Sequence, residues 1–295
     1  TSTGAELVQN GNFSEIGSDL VTNGDFSAAG INLVSNPNFT DTGSDVIYNG
    51  DFADTSTPLG DTGSGWGAIS GDVAYSTFGG DTAVKMTRVT STNTVRAKTV
   101  SGSNVLQPST SYKLTYTVLE NNGATYFRIS FGGSLVIPYD VDTHTVYFTS
   151  PSTNDLLQFI NDVDNSDITF TDVICEPLGA DWTVIDETCT FGENGLTMTS
   201  TLAADVRIRS QGFLADSTSY KVTYTIHDVD LTGTNAIQYY TGSPLNAYDD
   251  LPEQGIGTHT FYYTTPSTIA STSWFFRLDL RGSSTSTTDF VTISS

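Results

Sequence analysis

The chain contains two near-copies of one alternating segment. Ser109 to Val118 reads STSYKLTYTV and Ser217 to Ile226 reads STSYKVTYTI. A second pair follows each at similar spacing, THTVYFTSPST from Thr143 and THTFYYTTPST from Thr258. Shorter echoes keep the same order: Trp66 with Trp182, Thr77-Phe78-Gly79 with Thr190-Phe191-Gly192, Met86-Thr87 with Met198-Thr199, and Val95-Arg96 with Val206-Arg207. The offset is 108 to 116 residues throughout, so one domain has been duplicated. Any fold proposed for one half must therefore serve for both.

Within each copy apolar residues occupy every second position, as with Tyr112, Leu114, Tyr116 and Val118 between Lys113, Thr115 and Thr117. Period two with β-branched and aromatic enrichment marks a half-buried strand, and clusters of Gly, Pro, Asn and Asp separate the runs. No window shows the 3.6-residue periodicity of an amphipathic helix. About eight short strands in roughly 110 residues is the pattern of a sandwich. Hydrophobic residues at 37% and aromatics at 11% supply enough apolar mass for two such cores. The expected fold is all-β, two tandem jelly-roll-like β-sandwiches at 46–178 and 179–295.

Ahead of them, residues 1–45 carry a shorter repeat. It reads LVQNGNFSEIGSD from Leu7, LVTNGDFSAAGIN from Leu20, LVSNPNFTDTGSD from Leu33 and VIYNGDFADTSTP from Val46, with a period of 13 residues. Each unit suggests a short strand bent at the Asn-Gly step, where glycine tolerates positive φ. One apolar pair and one Phe cannot make a core, so Phe13, Phe26, Phe39 and Phe52 are the candidates for assembly contacts, by strand stacking or strand donation between chains.

These features resemble a known group of domains. A V-I-Y-N-G-D-F opening, a Gly-rich loop with Trp66, the S-Y-K-L-T-Y-T-V strand and T-H-T-V-Y-F-T-S-P-S-T look like the carbohydrate-binding-module-like jelly rolls of bacteriophage virion proteins and polysaccharide-degrading enzymes. Asp181-Trp182 fits the start of a second tandem copy. The resemblance covers 46–295 and implies a tail-fibre, head-fibre or decoration protein on a virion surface that touches host surface glycans. The second copy departs from it by lacking an N-G-D-F segment of its own.

The charge balance excludes some partners. With 33 acids against 11 Lys and Arg the net charge is −22, and no basic residue precedes Lys85. Such a surface repels nucleic acid and anionic lipid, and no stretch is long and apolar enough for a membrane span. The first residue is Thr, which reads as a processed or trimmed chain. Cys175 and Cys189 form no disulfide framework or zinc pattern; one bridge or two separate buried thiols are open, the latter expected.

No arrangement points to catalysis. His144 and His259 occupy one position in both copies, which suits a structural role, and no G-x-S-x-G, H-E-x-x-H or phosphate loop occurs. Carboxylates abound, but nothing singles out a pair. Asp140-Val141-Asp142, Asp162-Val163-Asp164-Asn165 and Asp249-Asp250 are candidate loops for a structural Ca2+, although none follows the EF-hand pattern; no other cofactor is indicated. Trp66 and Trp182 are expected at a domain edge and Trp274 in a core. Tyr239, Tyr240 and Tyr248, in a segment read as an insert of the second copy, are the candidates for glycan binding, with one of Tyr239 and Tyr240 exposed.

Three non-enzymatic functions fit: a virion appendage or capsid-surface protein, an extracellular filament subunit or adhesin assembling by strand donation, and a tandem carbohydrate-binding module. The 13-residue units favour the assembling classes, with the chain itself or other virion proteins as partner, on a virion surface or outside the cell.

Overall fold

A computed structural model describes residues 32–57, 59, 65–69, 72–89, 95–99, 106–153, 156–179, 181–185, 188–200, 206–241, 248–279 and 289–294. The chain divides into Thr1–Leu33 and Val34–Ser295, and the second unit holds both sandwiches. Among the described residues all regular structure is strand. The first sandwich comprises β1 (Trp66–Ile69), β2 (Asp72–Phe78), β3 (Asp81–Arg88), β4 (Val95–Thr99), β5 (Ser111–Asn122), β6 (Phe127–Ser130), β7 (Ser134–Val136), β8 (Thr143–Thr149), β9 (Gln158–Asn161) and β10 (Ser166–Pro177). The second comprises β11 (Trp182–Val184), β12 (Cys189–Gly192), β13 (Gly195–Thr199), β14 (Val206–Gly212), β15 (Ser219–Asp230), β16 (Ala236–Tyr240), β17 (Tyr248–Asp250), β18 (Gly257–Thr264), β19 (Ser273–Asp279) and β20 (Phe290–Ser294).

The strand orders show the duplication. One sheet of each sandwich runs β1-β4-β9-β6-β7 or β11-β14-β19-β16-β17, the other β2-β3-β10-β5-β8 or β12-β13-β20-β15-β18. Each strand of the second sandwich thus occupies the place of the strand ten earlier, and the near-identical segments are β5 and β15, fourth in their sheets. Tyr116 and Tyr224 keep the same contact: each buried ring sends its hydroxyl to a loop carbonyl, of Pro138 or Glu253, at 2.6 Å. The segment holding Tyr239, Tyr240 and Tyr248 is no insert, since β16 and β17 match β6 and β7.

The 13-residue units behave differently from the expectation. Residues 34–39 and 46–52 are not strands. Asn36 and Asn49 take φ of 47° and 53°, and Phe39 and Phe52 take 59° and 54°. Asparagine visits this left-handed region more readily than most residues, so the unit folds as a turn around it. The Phe39 and Phe52 N–H groups donate to the Asn36 and Asn49 carbonyls at 3.1 and 3.2 Å. The asparagine side chains accept the N–H of Asp41 at 2.8 Å and of Asp54 at 3.0 Å. The glycine of the Asn-Gly step serves proximity rather than positive φ. A Cβ on Gly50 would lie 1.9 Å from the Val173 carbonyl oxygen.

Each turn aims its Phe into a core. Phe52 is fully buried in the first sandwich, 5.2 Å from the Trp66 ring and 5.8 Å from Phe170. Phe39 is fully buried in the second, 4.6 Å from Trp182 and 5.9 Å from Phe191. The indole N–H groups of Trp66 and Trp182 donate to the carbonyls of Asn49 at 3.1 Å and Asn36 at 3.0 Å. The tryptophans are therefore core residues capped by the turns, not domain-edge residues. Phe39 and Phe52, expected at an assembly surface, fill cores of their own chain. Phe13 and Phe26 lie outside the described residues.

The second sandwich thus obtains its missing opening segment from residues 34–39, which precede the first sandwich, and a boundary at residue 45 falls inside a continuous unit. Between the two turns the chain runs antiparallel to the exit of β10. Gly43 N–H donates to Pro177 O at 2.8 Å, Val46 N–H to Cys175 O at 2.9 Å, and Val173 N–H to Gly50 O at 2.9 Å.

Removing either ring leaves a cavity beneath a tryptophan, a change that costs roughly 3–5 kcal/mol in well-packed cores. Phe52→Ala should lower the unfolding transition of the first sandwich and Phe39→Ala that of the second, as followed by calorimetry of the full chain. Equal loss in both sandwiches from either change would contradict this assignment.

Candidate functional site

In the sheet β11-β14-β19-β16-β17, alternate residues face the core or the outer surface. Ile208, Trp274, Phe276, Leu278 and Tyr239 face inward, with Tyr239 stacked on Trp274 at 5.5 Å and 4.8 Å from Phe261. The intervening residues face outward in two cross-strand rows. Thr183 pairs with Arg209, Arg209 with Phe275, and Tyr240 with Tyr248. Tyr240 stands beside Phe275, their rings 5.3 Å apart, because Tyr239 pairs with Phe276. In the neighbouring row Arg207 pairs with Arg277, Arg277 with Gln238, and Gln238 with Asp250.

The rings form the floor of this face. Tyr240 is fully buried, with its hydroxyl against the backbone of Ser271 and Ala270, and Phe275 is buried beside it. Tyr248 is partly exposed and meets both at 5.9 and 6.3 Å. The Arg277 guanidinium lies 5.0 Å from the centre of the Tyr248 ring, a cation–π distance, and donates to Asp279 at 3.0 Å. Burial pushes the Tyr248 hydroxyl pKa up, against the opposing pull of Arg207 and Arg277. Arg209 and Asp250 are exposed. Gln238, only 4% exposed, donates from Nε2 to Asp250 at 2.8 Å, while its buried Oε1 has no hydrogen-bond partner among the described residues. A buried acceptor left so costs about 1–3 kcal/mol.

The register gives the matching positions of the first sandwich. Phe275, Tyr240 and Tyr248 stand where it has Gln158, Ser130 and Ser134; Arg277, Gln238 and Asp250 stand where it has Ile160, Arg128 and Val136. Arg96 is the counterpart of Arg207. The outer faces of these two sheets hold Arg96, Arg128, Arg207, Arg209 and Arg277, in a chain of net charge −22. Among the described strand residues, the second face carries aromatic rings where the first has none.

The sequence candidates are thus divided. Tyr240 and Tyr248 lie on the outer face, whereas Tyr239 is turned into the core; neither member of the Tyr239-Tyr240 pair is exposed, because both faces of β16 are covered. Arg207, Arg209, Gln238, Phe275 and Arg277 escaped sequence reading. Trp274 is in the core as expected, and strict alternation along β19 places Phe275 and Arg277 outward.

The other candidates have structural contacts. His144 and His259 each bond through Nε2 to a carbonyl four residues earlier, both at 2.8 Å, and lie 5.4 Å from Tyr116 and Tyr224. In the Asp162–Asn165 loop, Asp162 accepts from Arg128 at 2.8 Å and Arg88 at 3.2 Å, and Asp164 accepts from Arg88 at 2.9 Å. Guanidinium groups neutralise these carboxylates, so they do not fit a calcium cage. Among the described residues no three His, Cys, Asp or Glu side chains converge as metal ligands.

No protein-family model matches the chain, and no curated protein matches it. Solved structures with some likeness include the CBM22-1–CBM22-2 tandem domain of Paenibacillus barcinonensis Xyn10C, at 11% identity and a TM-score of 0.32, covering 87% of this chain and 98% of that one. Another is a Family 16 Carbohydrate Binding Module-2, at 17% identity and 0.30, covering 44% and 98%. The CBM22-1 xylan-binding domain of the same Xyn10C gives 13% and 0.29, covering 40% and 89%. The fold assignment rests on the strand order described above.

Cys175 and Cys189 are not bridged to each other, and each is buried in a different core. Desolvation, then Asp45 and Glu176, push the Cys175 thiol far up, which removes its nucleophilic form. A disulfide-exchange reagent should label neither thiol in the native protein and both in denaturant. Rapid native labelling would show that one core is open.

Proposed function

We propose that the chain is a carbohydrate-binding protein, with its principal site on the outer face of the second sandwich and a preference for acidic glycans. The observation that carries this reading is the aromatic and arginine surface around Gln238, present in one sandwich and replaced by Gln158, Ser130 and Ser134 in the other. Sugars present apolar ring faces edged by hydroxyls, and the partly exposed Tyr248 ring offers a surface for the former. Asp250 accepts and Arg209 donates at the rim.

The charge distribution supports the acidic preference. Arginine forms bidentate hydrogen bonds to carboxylates, and the exposed Arg209 beside Arg207 on this face of an otherwise acidic molecule favours an anionic ligand there. Of the three classes weighed from sequence, the tandem carbohydrate-binding module is the one this face supports best. An extracellular location accords with such a ligand.

Titration calorimetry with oligogalacturonate and with a neutral β-glucan oligosaccharide tests the reading. Tyr248→Ala and Arg209→Ala should each weaken oligogalacturonate binding by about tenfold, equivalent to ~1.4 kcal/mol. Ser134→Ala, at the matching place in the first sandwich, should leave it unchanged. Binding should weaken with added salt. Equal affinity for the neutral oligosaccharide would remove the acidic preference, and binding of neither, or binding indifferent to Tyr248, would overturn the site.

A further inference from the structure

Apart from the linker, the two sandwiches meet through a small contact whose two halves recur elsewhere in the chain. β12, at one end of its sheet, touches β5 and β8 of the first sandwich. The Phe191 N–H, on the edge of β12 away from β13, donates to Ser111 Oγ at 3.0 Å. Ser111 also shares a hydroxyl hydrogen bond at 2.9 Å with its cross-strand partner Thr149 and is only 3% exposed. Two residues along, Tyr147, opposite Lys113, packs against the second core near Glu193 of the β12–β13 turn.

Duplication gives the second sandwich the same receiving surface. Ser219 pairs with Thr264 and Lys221 with Tyr262, in the register of Ser111 with Thr149 and Lys113 with Tyr147. The Ser219 and Thr264 hydroxyls are likewise bonded, at 2.8 Å. Here all four residues are exposed, Tyr262 at 69%.

The first sandwich carries the matching edge. β2 stands at the end of its sheet, as β12 does. Val84 and Leu196 hold one place, opposite Phe170 and Ile293, and their hairpin partners are Tyr75 and Phe191. Tyr75, and not Phe78, is therefore the counterpart of Phe191. Phe191 lies one pair from the Gly192–Gly195 pair at its turn and Tyr75 three pairs from Phe78–Asp81, so the alternation of an antiparallel ladder turns both N–H groups away from the hairpin partner. Ala74 beside it is exposed, and so is Phe78 at the turn.

We infer that the outer face of β15 and β18 is a docking site for a second copy of this chain, which enters by its β2 edge with the Tyr75 N–H on Ser219 Oγ and the β2–β3 turn over Tyr262. A second copy is the occupant because its β2 repeats, in register, the strand that fills the same surface of the first sandwich. The contact joins unlike faces, so each copy keeps one unused half and association continues head to tail. It lacks the linker that raises the effective concentration of the internal contact, and its small area suits a Kd of about 0.1–1 mM.

Sedimentation equilibrium of the full chain tests this up to about 1 mM, in salt of about 0.5 M to screen the repulsion between acidic chains. The weight-average mass should climb with concentration past that of a dimer. Tyr262→Glu and Ala74→Glu change exposed residues, so each should keep the wild-type unfolding midpoints yet stay monomeric. Mixed in equal amounts they should form a heterodimer and nothing larger, because each retains the half that the other lacks. Tyr248→Ala, on the other sheet of the sandwich, should associate as the wild type does, which separates this readout from glycan binding. A monomeric wild type, a closed dimer that does not grow, association that survives Tyr262→Glu, or a mixture without heterodimer would each overturn the proposal.

Discussion

The structure depends on one contact made twice: a phenylalanine ring set beneath a tryptophan whose indole N–H is held by the carbonyl of the asparagine three residues before that phenylalanine. The hydrogen bond does not only satisfy a buried donor. It fixes the orientation of the indole plane, and the ring then closes one end of the sandwich between its sheets. A buried Phe supplies about 1.5–3 kcal/mol in transfer from water, more than the net gain of the accompanying hydrogen bond. The asparagine specifies where the ring goes, and the ring supplies most of the stabilisation.

Because the segment carrying both rings is continuous, this contact also governs how the sandwiches are joined. Residues 42–50 bond along residues 173–178, so the connection between domains is a paired ribbon instead of a lone strand. Asp45 reinforces it by accepting the N–H groups of Cys175 and Ile47, both at 2.9 Å. Its carboxyl pKa is raised chiefly by burial. Ser111 adds a further tie, its hydroxyl accepting the Phe191 N–H at 3.0 Å and its carbonyl accepting that of Leu178 at 2.8 Å. A fixed relation between the domains would hold the two arginine-bearing sheet faces in constant geometry.

Duplication freed one copy to change. With strand order and inner residues held in common, the outer row of the five-stranded sheet could pass from Gln158, Ser130 and Ser134 in one sandwich to Phe275, Tyr240 and Tyr248 in the other without disturbing either core. Outward residues make few contacts with the opposite sheet, so their exchange has little effect on the packing between the sheets.

The sequence by itself determined the duplication, the all-β class and the place of β5 and β15, because period-two alternation is a local property and an identical local pattern must face an identical core. It also marked the 13-residue units as too small to stand alone. Only the tertiary structure decided which core each unit enters, since the pairing that reverses their order joins residues more than a hundred apart and leaves no mark on local periodicity. The same holds for the outer face. Arg207, Arg277 and Gln238 are separated along the chain and adjacent only through strand register, while Tyr239 and Tyr240, neighbours in sequence, are sent to opposite sides of the sheet by the pleat.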